Sequence, residues 1–407
     1  MKPLSTISLS LAAISFCQSA ARADGWLDEV EEALTFNLFG DAVSLHFSGL
    51  GDVEGYVFDG PAPGLLYTDN EALFNPRLSL FLDAQAGPHL YGFVQARLDR
   101  GFDPSDENAE MRIDEYAIRF TPWEDGRIHF QAGQFGTVVG NWMSRHLSWD
   151  NPFVTAPVPY ENQTGIYGGE APESRAEFLE HSDGEGYDYS PILWGPSYAT
   201  GASISGQIEK VTYAAEIKNA SLSSHPDSWG GSGVNFKHPT VSGRLGLKPN
   251  HSWDLGTSFS DGSYLRPKAA PTLPAHRGIG DYHQTVIGQD ISYSWHHLQL
   301  WAECYHAQFE VPRVGNAETL AYYIEAKYRF SPELYGAARW NQQLFESIRG
   351  DDGIGKDWGD DMWRCDLSIG YRFTAHTQLK LQYSLQHAEG ADQGISHLFA
   401  TQFTTRF

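Results

Sequence analysis

The amino-acid sequence predicts an all-β protein: a transmembrane antiparallel β-barrel of about sixteen strands, with eighteen as the upper count. Long extracellular loops and one inward-folded loop belong to the prediction. Three observations carry it. The final strand alternates strictly up to a terminal aromatic, similar two-residue alternation recurs along the chain, and the links between runs are alternately short and long.

The last strand shows the pattern most plainly. Phe399, Thr401, Phe403, Thr405 and Phe407 share one face, and Leu398, Ala400, Gln402, Thr404 and Arg406 share the other. A strand closing a transmembrane barrel needs an apolar face for lipid and a mixed face for the interior.

The amino end has the layout of a secretory signal. Lys2 is followed by an apolar core from Leu9 to Phe16, and Ala21-Arg22-Ala23 is a small-x-small cleavage site. Residues 1–23 are therefore expected to be removed, Cys17 with them. The segment holds Lys2 and Arg22 and no acid. Of 28 basic and 51 acidic residues, 26 and 51 remain, a net charge of −25. So acidic a chain excludes nucleic acid as a partner, because phosphate contacts need a basic surface. Cys304 and Cys365 alone remain, which excludes a disulfide-stapled domain. Both fall on apolar strand faces. Residues 24–37 form a short acidic segment, expected on the periplasmic side as one or two helical turns with Trp26, Val30 and Leu34 on one side. The barrel is expected over 38–407.

The clearest strands alternate almost without fault. Leu78, Leu80 and Leu82 oppose Arg77, Phe81 and Asp83; Val94, Ala96 and Leu98 oppose Gln95, Arg97 and Asp99. Ile128, Phe130 and Ala132 oppose Arg127, His129 and Gln131. Tyr322, Ile324 and Ala326 oppose Glu325, Lys327 and Arg329; Trp363, Cys365 and Leu367 oppose Arg364 and Asp366; Leu379 and Leu381 oppose Lys380 and Gln382. Weaker runs fall near Val43–Tyr56, Ile113–Phe120, Tyr198–Ile208, Val211–Ile217, Val241–Leu247, Trp253–Phe259, Gln284–Trp295, Leu298–Phe309 and Leu334–Trp340. Short turns include Ala86–His89, Thr121–Gly126, Ser331–Glu333 and Thr374–Thr377. Long links are Asp59–Asn75, Arg100–Met111, Asn141–Ser197, Leu265–Tyr282 and Gln343–Asp361. Short turns on one rim and long loops on the other match an outer-membrane layout.

A barrel this wide is not filled by its own wall side chains, so function is expected on inward residues and on a loop that folds in. The candidate loop is Asn141–Ser197, with Arg145, Asp150, Glu161, Glu170, Glu173, Arg175 and Glu177, and beyond them Glu180, Asp183, Glu185 and Asp188. Inferred pore-lining residues are Arg77, Asp83, Arg97, Asp99, Glu115, Arg119, Arg127, Lys327, Arg329, Arg364 and Asp366. Arg77, Arg97, Arg119 and Arg127 form a basic stripe that steers anions if unopposed; Asp83, Asp99 and Glu115 on the same faces are positioned to neutralise it. A basic wall facing an acidic loop is expected to make a transverse field. The acidic run Gly350–Asp361 lacks calcium-loop spacing and is expected to be a solvated tip. No metal site and no cofactor are implied.

At Phe81–Gly101 and Arg112–Gly140 the chain resembles the early hairpins of Gram-negative porins, nearest to the phosphate-selective group. Gly133-Gln134-Phe135-Gly136 precedes the long loop in the same order. The resemblance implies a trimeric passive channel of sixteen or eighteen strands, with lipid and lipopolysaccharide around it. Phe403 and Phe407 resemble the terminal assembly signal of such barrels, which implies the barrel-assembly machinery as a partner. That group's pore is strongly cationic and this chain is acidic, so phosphate binding is assigned to no residue.

The leading expectation is therefore an outer-membrane channel for small polar solutes and ions, without catalysis. The alternative is a selective channel, for anions on the arginine stripe or for sugars on Tyr91, Phe93, Tyr323 and Tyr335. An outer-membrane enzyme would need a nucleophile and base in contact. Ser144 with His146 and Ser294 with His296 are the candidate pairs, and neither shows an orienting third residue. An adhesin or purely structural barrel completes the set.

Overall fold

Side-chain alternation becomes two faces once the strands pair. The computed structural model describes residues 26–30, 33–40, 42–60, 66, 68, 70–101, 108–180, 188–230, 236–350, 353–390 and 394–407. The signal segment, Asp183 and Glu185 lie outside them. The barrel strands are β1 (Val43–Phe58), β2 (Ala72–Ala86), β3 (Leu90–Asp99), β4 (Glu110–Phe120), β5 (His129–Phe135), β6 (Ala199–Ile208), β7 (Val211–Lys218) and β8 (Thr240–Leu247). The circuit continues with β9 (Trp253–Ser263), β10 (His283–Trp295), β11 (Leu298–Val311), β12 (Gly315–Arg329), β13 (Leu334–Phe345), β14 (Met362–Arg372), β15 (Thr377–Ala388) and β16 (Ile395–Arg406). Each pairs antiparallel with the next, and β16 pairs with β1. The sixteen strands thus form a closed ring, which leaves no unpaired edge to face hydrocarbon.

The two faces differ as the alternation requires. Ile324, Leu367 and Phe399 are 57%, 53% and 61% exposed on the outside, while Glu325, Asp366 and Thr404 are fully buried inside. A water-soluble sheet would invert that distribution. Exposed aromatics gather near one rim, at Trp253, Trp295, Tyr328, Phe330 and Tyr371, where rings sit well at headgroup level. Cys304 and Cys365 are free, half-buried, and on outward positions of different strands.

The links sort by rim. Short turns at 87–89, 209–210, 296–297, 330–333 and 373–376 lie at one end. The other end carries long loops and one tight link, 312–314, that the sequence had not distinguished. It also carries a long link at 219–239, between the runs anticipated at Val211–Ile217 and Val241–Leu247. Residues 26–30 are helical, and Asp28 accepts from His376 in the 373–376 turn at 2.8 Å, which places this helix against the short-turn rim. Leu27, rather than Trp26, is its buried residue. Thr35–Leu38 forms a short strand on Val43–His46 of β1. The run 350–361 is not a bare solvated tip. Ser347–Arg349 and Gly355–Asp357 pair as a hairpin, and Trp358 is wholly buried against Phe178, Phe309 and Phe345.

The seam is completed by the last residue. Phe407 N–H donates to Gly49 at 3.1 Å and Phe407 accepts from Gly49 N–H at 3.0 Å. The Phe407 ring lies over Gly49, where a Cβ would come within 2.5 Å of it. Gly49→Val is expected to displace that ring and destabilise the barrel by about 1–3 kcal/mol, read as a lower temperature for loss of the compact, boiling-sensitive gel band. Phe407→Ala in the same chain should recover part of the loss; an additive loss would show that the ring and Gly49 do not share this space.

Candidate functional site

The chain between β5 and β6 turns into the lumen and binds the inner wall of β11–β15. Its turn at Trp142–Arg145 is held by Glu303 on β11, which accepts from the backbone N–H of Asn141 and, at 2.9 Å, of Trp142. The Tyr160 hydroxyl donates to the same carboxylate at 2.6 Å. Farther along, Val158 N–H donates to Asn341 at 3.1 Å, and Gln382 accepts from Val154 and Thr155 at 2.7 and 3.1 Å. Lys380 on β15 is fully buried, and its Nζ donates to the carbonyls of Ser148, Asn151 and Phe153 at 2.5, 2.9 and 3.3 Å. The wall satisfies backbone groups that the loop's short helical segments, Trp142–Arg145, Val158–Glu161 and Arg175–Glu180, leave unpaired.

A chain of six buried charges runs beneath the loop. Arg145 pairs with Glu325 at 2.5 Å, Glu325 with Arg339 at 3.7 Å, Arg339 with Asp366 at 2.8 Å, Asp366 with Arg364 at 3.1 Å, and Arg364 with Glu161. Signs alternate and cancel. Both ends belong to the loop and the middle four to the wall, so the chain fastens two points of the loop to β12, β13 and β14. Each ion has given up hydration, so removing one leaves a buried charge uncompensated, at a cost of about 3–5 kcal/mol.

The opposite wall, on β1–β4, is also charged. Arg77 pairs with Asp52 and Glu54 at 3.1 and 2.5 Å. Arg112 pairs with Asp99 and Asp114 at 2.5 and 2.8 Å, and Arg97 pairs with Asp114 at 2.9 Å. A β-bulge explains Asp114: Gln95 pairs with Glu115 and Ala96 with Ile113, so the residue between has no partner and turns inward beside Glu115. Between this wall and the loop lies a cavity of about 190 Å³. Its loop side carries Trp142, His146, Ser148, Phe153 and Thr155, with Trp194 and Trp229 beyond.

The inferred pore residues divide accordingly. Arg77, Arg97 and Asp99 line this cavity. Asp83 accepts from the Tyr91 hydroxyl, Arg119 donates to Gln131 at 2.8 Å, and Glu115 accepts from Gly136 N–H at 2.7 Å. Arg127 is corrected: it lies in the turn before β5, 69% exposed and paired with Asp125. Arg364 and Asp366 are corrected too, because the loop covers both. Lys327 and Arg329 face the lumen below the loop. Of the loop candidates, Arg145 and Glu161 are anchors. Asp150 is exposed; Glu170 and Glu173 are exposed near the long-loop rim. Arg175 donates to the carbonyls of Val314 and Arg349, and Glu177 accepts from Glu173 N–H. Of the described loop acids, Glu161 reaches the cavity of Arg77 and Arg97, but it is paired with Arg364, and the expected transverse field is replaced by arginines paired on their own wall. Tyr323 and Tyr335, expected on a sugar track, are 1% and 5% exposed beneath the loop.

The candidate catalytic pairs are likewise engaged. Ser144 donates to Asn141, and the ring nitrogens of His146 meet the Met143 carbonyl at 2.7 Å and the Tyr198 hydroxyl at 2.8 Å. Ser294 is next to last in its strand, while His296 sits in the following turn at φ 50° and meets the Trp295 ring edge-on. The inferred pore residues omitted Asp52, Glu54, Glu303, Arg339 and Lys380, although each lies on the inner face of an anticipated strand and alternation was the available signal; Arg112 precedes the anticipated run and is put out of phase with it by the bulge.

No protein-family model and no curated protein matches this sequence. Solved structures do match in fold. OmpT, an outer membrane protein of Vibrio cholerae, aligns with a TM-score of 0.54 at 10% identity over 91% of this chain and 99% of its own. Salmonella typhi OmpF in complex with daunomycin gives 0.54 at 10% over 91% and 100%, and the anion-selective porin from Comamonas acidovorans 0.54 at 10% over 90% and 100%. At this identity the likeness concerns the barrel architecture alone.

Two outcomes follow from the anchoring. Arg339→Met should take one cation each from Glu325 and Asp366, lower the unfolding temperature, and make the loop more open to limited proteolysis; unchanged melting and cleavage would show that the ion chain does not hold the loop. Burial holds His146 down at about 4. The unfolded chain binds this proton below about 6.5 and the folded one only below about 4, so stability falls as pH drops through that window. His146→Gln should flatten this part of the pH–stability curve.

Proposed function

We propose that the chain is exported by its amino-terminal signal, inserts into a bacterial outer membrane, and forms a channel for passive diffusion of small polar solutes and ions. The observation that carries this reading is the charged cavity of about 190 Å³ between the fastened loop and the β1–β4 wall, which this reading takes as the passage. The loop is anchored chiefly on β11–β15 and touches the β1–β4 side only at points such as Val154 and Gly136. Arg77, Arg97 and Arg112 have their charges balanced by Asp52, Glu54, Asp99 and Asp114. Donors and acceptors are thereby fixed in a line without a strong net field, which suits polar solutes over apolar ones. The passage carries no catalytic step in this reading. Assembly as a homotrimer, with lipopolysaccharide around it, belongs to the same proposal.

Planar bilayers and liposomes test it. The refolded barrel should give stepwise conductance, and liposomes carrying it should swell in small neutral and charged solutes at rates set by size. Absence of conductance from correctly folded protein would remove the channel reading. Saturable uptake of one solute would replace general diffusion by selectivity.

A further inference from the structure

Below the loop, toward the short-turn rim, the lumen carries charge of another kind. Lys327 and Arg329 on β12, Arg372 on β14 and Arg406 on β16 occupy inward positions. The arginines of the passage and of the buried chain are ion-paired. Among the described residues, these four form no ion pair; Glu325 is engaged by Arg145 and Arg339, Asp366 by Arg339 and Arg364, and Arg406 Nε donates only to the Ala375 carbonyl. Lys327 is only 9% exposed, with its Nζ 4.3 Å from the Tyr335 ring centroid. Arg372 Nε is buried without a hydrogen-bond partner. Lys327 stands within electrostatic reach of Arg329 and Arg372, and Arg372 within reach of Arg406; Asp150 is an acid in reach of Lys327 and Arg372.

The patch has an aromatic floor. The guanidiniums of Arg372 and Arg406 lie 5.0 and 4.2 Å from the Trp149 ring centroid. Trp149 is held from behind, since Gln378 and Lys380 both donate to the carbonyl of Ser148. Cations crowded in a confined lumen repel one another, and a bound anion relieves that repulsion. Guanidinium forks match carboxylates in bidentate geometry. β12, β14 and β16 are alternate strands, about 10 Å apart across the wall in steps of about 4.8 Å, and the register staggers the cations along it too, since Arg329 is level with Gly370 and Arg372 with Thr404. Two carboxylates on a short carbon skeleton span that gap where one compact anion does not, and the skeleton gains contact with Trp149 and Tyr335.

We propose that Lys327, Arg329, Arg372, Arg406 and Trp149 form a binding site for small dicarboxylates that enter from the short-turn mouth. The direction of entry rests on the channel reading; the site itself does not.

Succinate is the probe. Calorimetric titration of the detergent-refolded barrel should show saturable binding, weakened about tenfold in Arg372→Gln and in Arg329→Gln, the loss expected for one charge-assisted contact. Arg277→Gln, on the exposed long-loop rim, should bind as wild type. Both site variants should keep the boiling-sensitive gel mobility; Arg329 is exposed, so its variant reports on the site even where Arg372→Gln folds poorly. In bilayers, succinate should reduce current from one side only. Binding without conductance would remove the channel reading and leave the site. No succinate binding, phosphate binding as tight as succinate, or equal affinity in wild type and Arg329→Gln would overturn the site.

Discussion

The alternating ion chain from Arg145 to Glu161 is the constraint on which the lumen depends. A sixteen-stranded ring leaves more space than its wall side chains fill, and a sixty-residue connection will not stay in that space without partners. Three arginines and three carboxylates, interleaved between loop and wall, make its position costly to change. Glu303 and Lys380 extend the fastening by binding loop backbone. The loop's resting place, and so the shape of the remaining passage, follows from which wall carries these partners.

The fastening divides the lumen. On the β10–β13 side, at the long-loop end, Tyr160, Ile192, Leu193, Tyr305, Phe309 and Trp358 pack as an apolar core. This resembles a soluble protein's interior set inside a barrel. On the β1–β4 side the wall stays polar, and its arginines are neutralised by acids on neighbouring strands. Beneath the loop the wall turns cationic, because the carboxylates nearby in sequence are used by the ion chain. Passage and vestibule thus differ in charge through one cause: how the chain's acids are shared out.

Much of the fold was legible. Each of the sixteen anticipated runs became a strand, because period-two alternation in a membrane barrel reports directly which face meets lipid. The terminal Phe407 lies at the seam with Gly49, where alternation ended. Legibility failed where the period broke or where a long link folded on itself. Asp114 turns inward only because of a bulge, and an extra residue in one strand is silent in a pattern of alternation. The pairing of Ser347–Arg349 with Gly355–Asp357 and the buried Trp358 were missed because loops carry no period.

The candidate site was legible only in part. Sequence alone determined that Arg77, Arg97, Lys327, Arg329, Arg364 and Asp366 face inward, since side-chain direction in a strand is a local property. It also marked Arg145 and Glu161 as members of a loop long enough to enter the lumen. Only the tertiary structure decided which inward charges meet. Glu325 is two residues from Lys327 yet pairs with Arg145 and Arg339, and Asp366 is spent on Arg339 and Arg364 rather than left for Arg372. Pairing inside a closed ring is set by strand neighbours and by where a distant loop comes to rest, and neither is written in the local pattern.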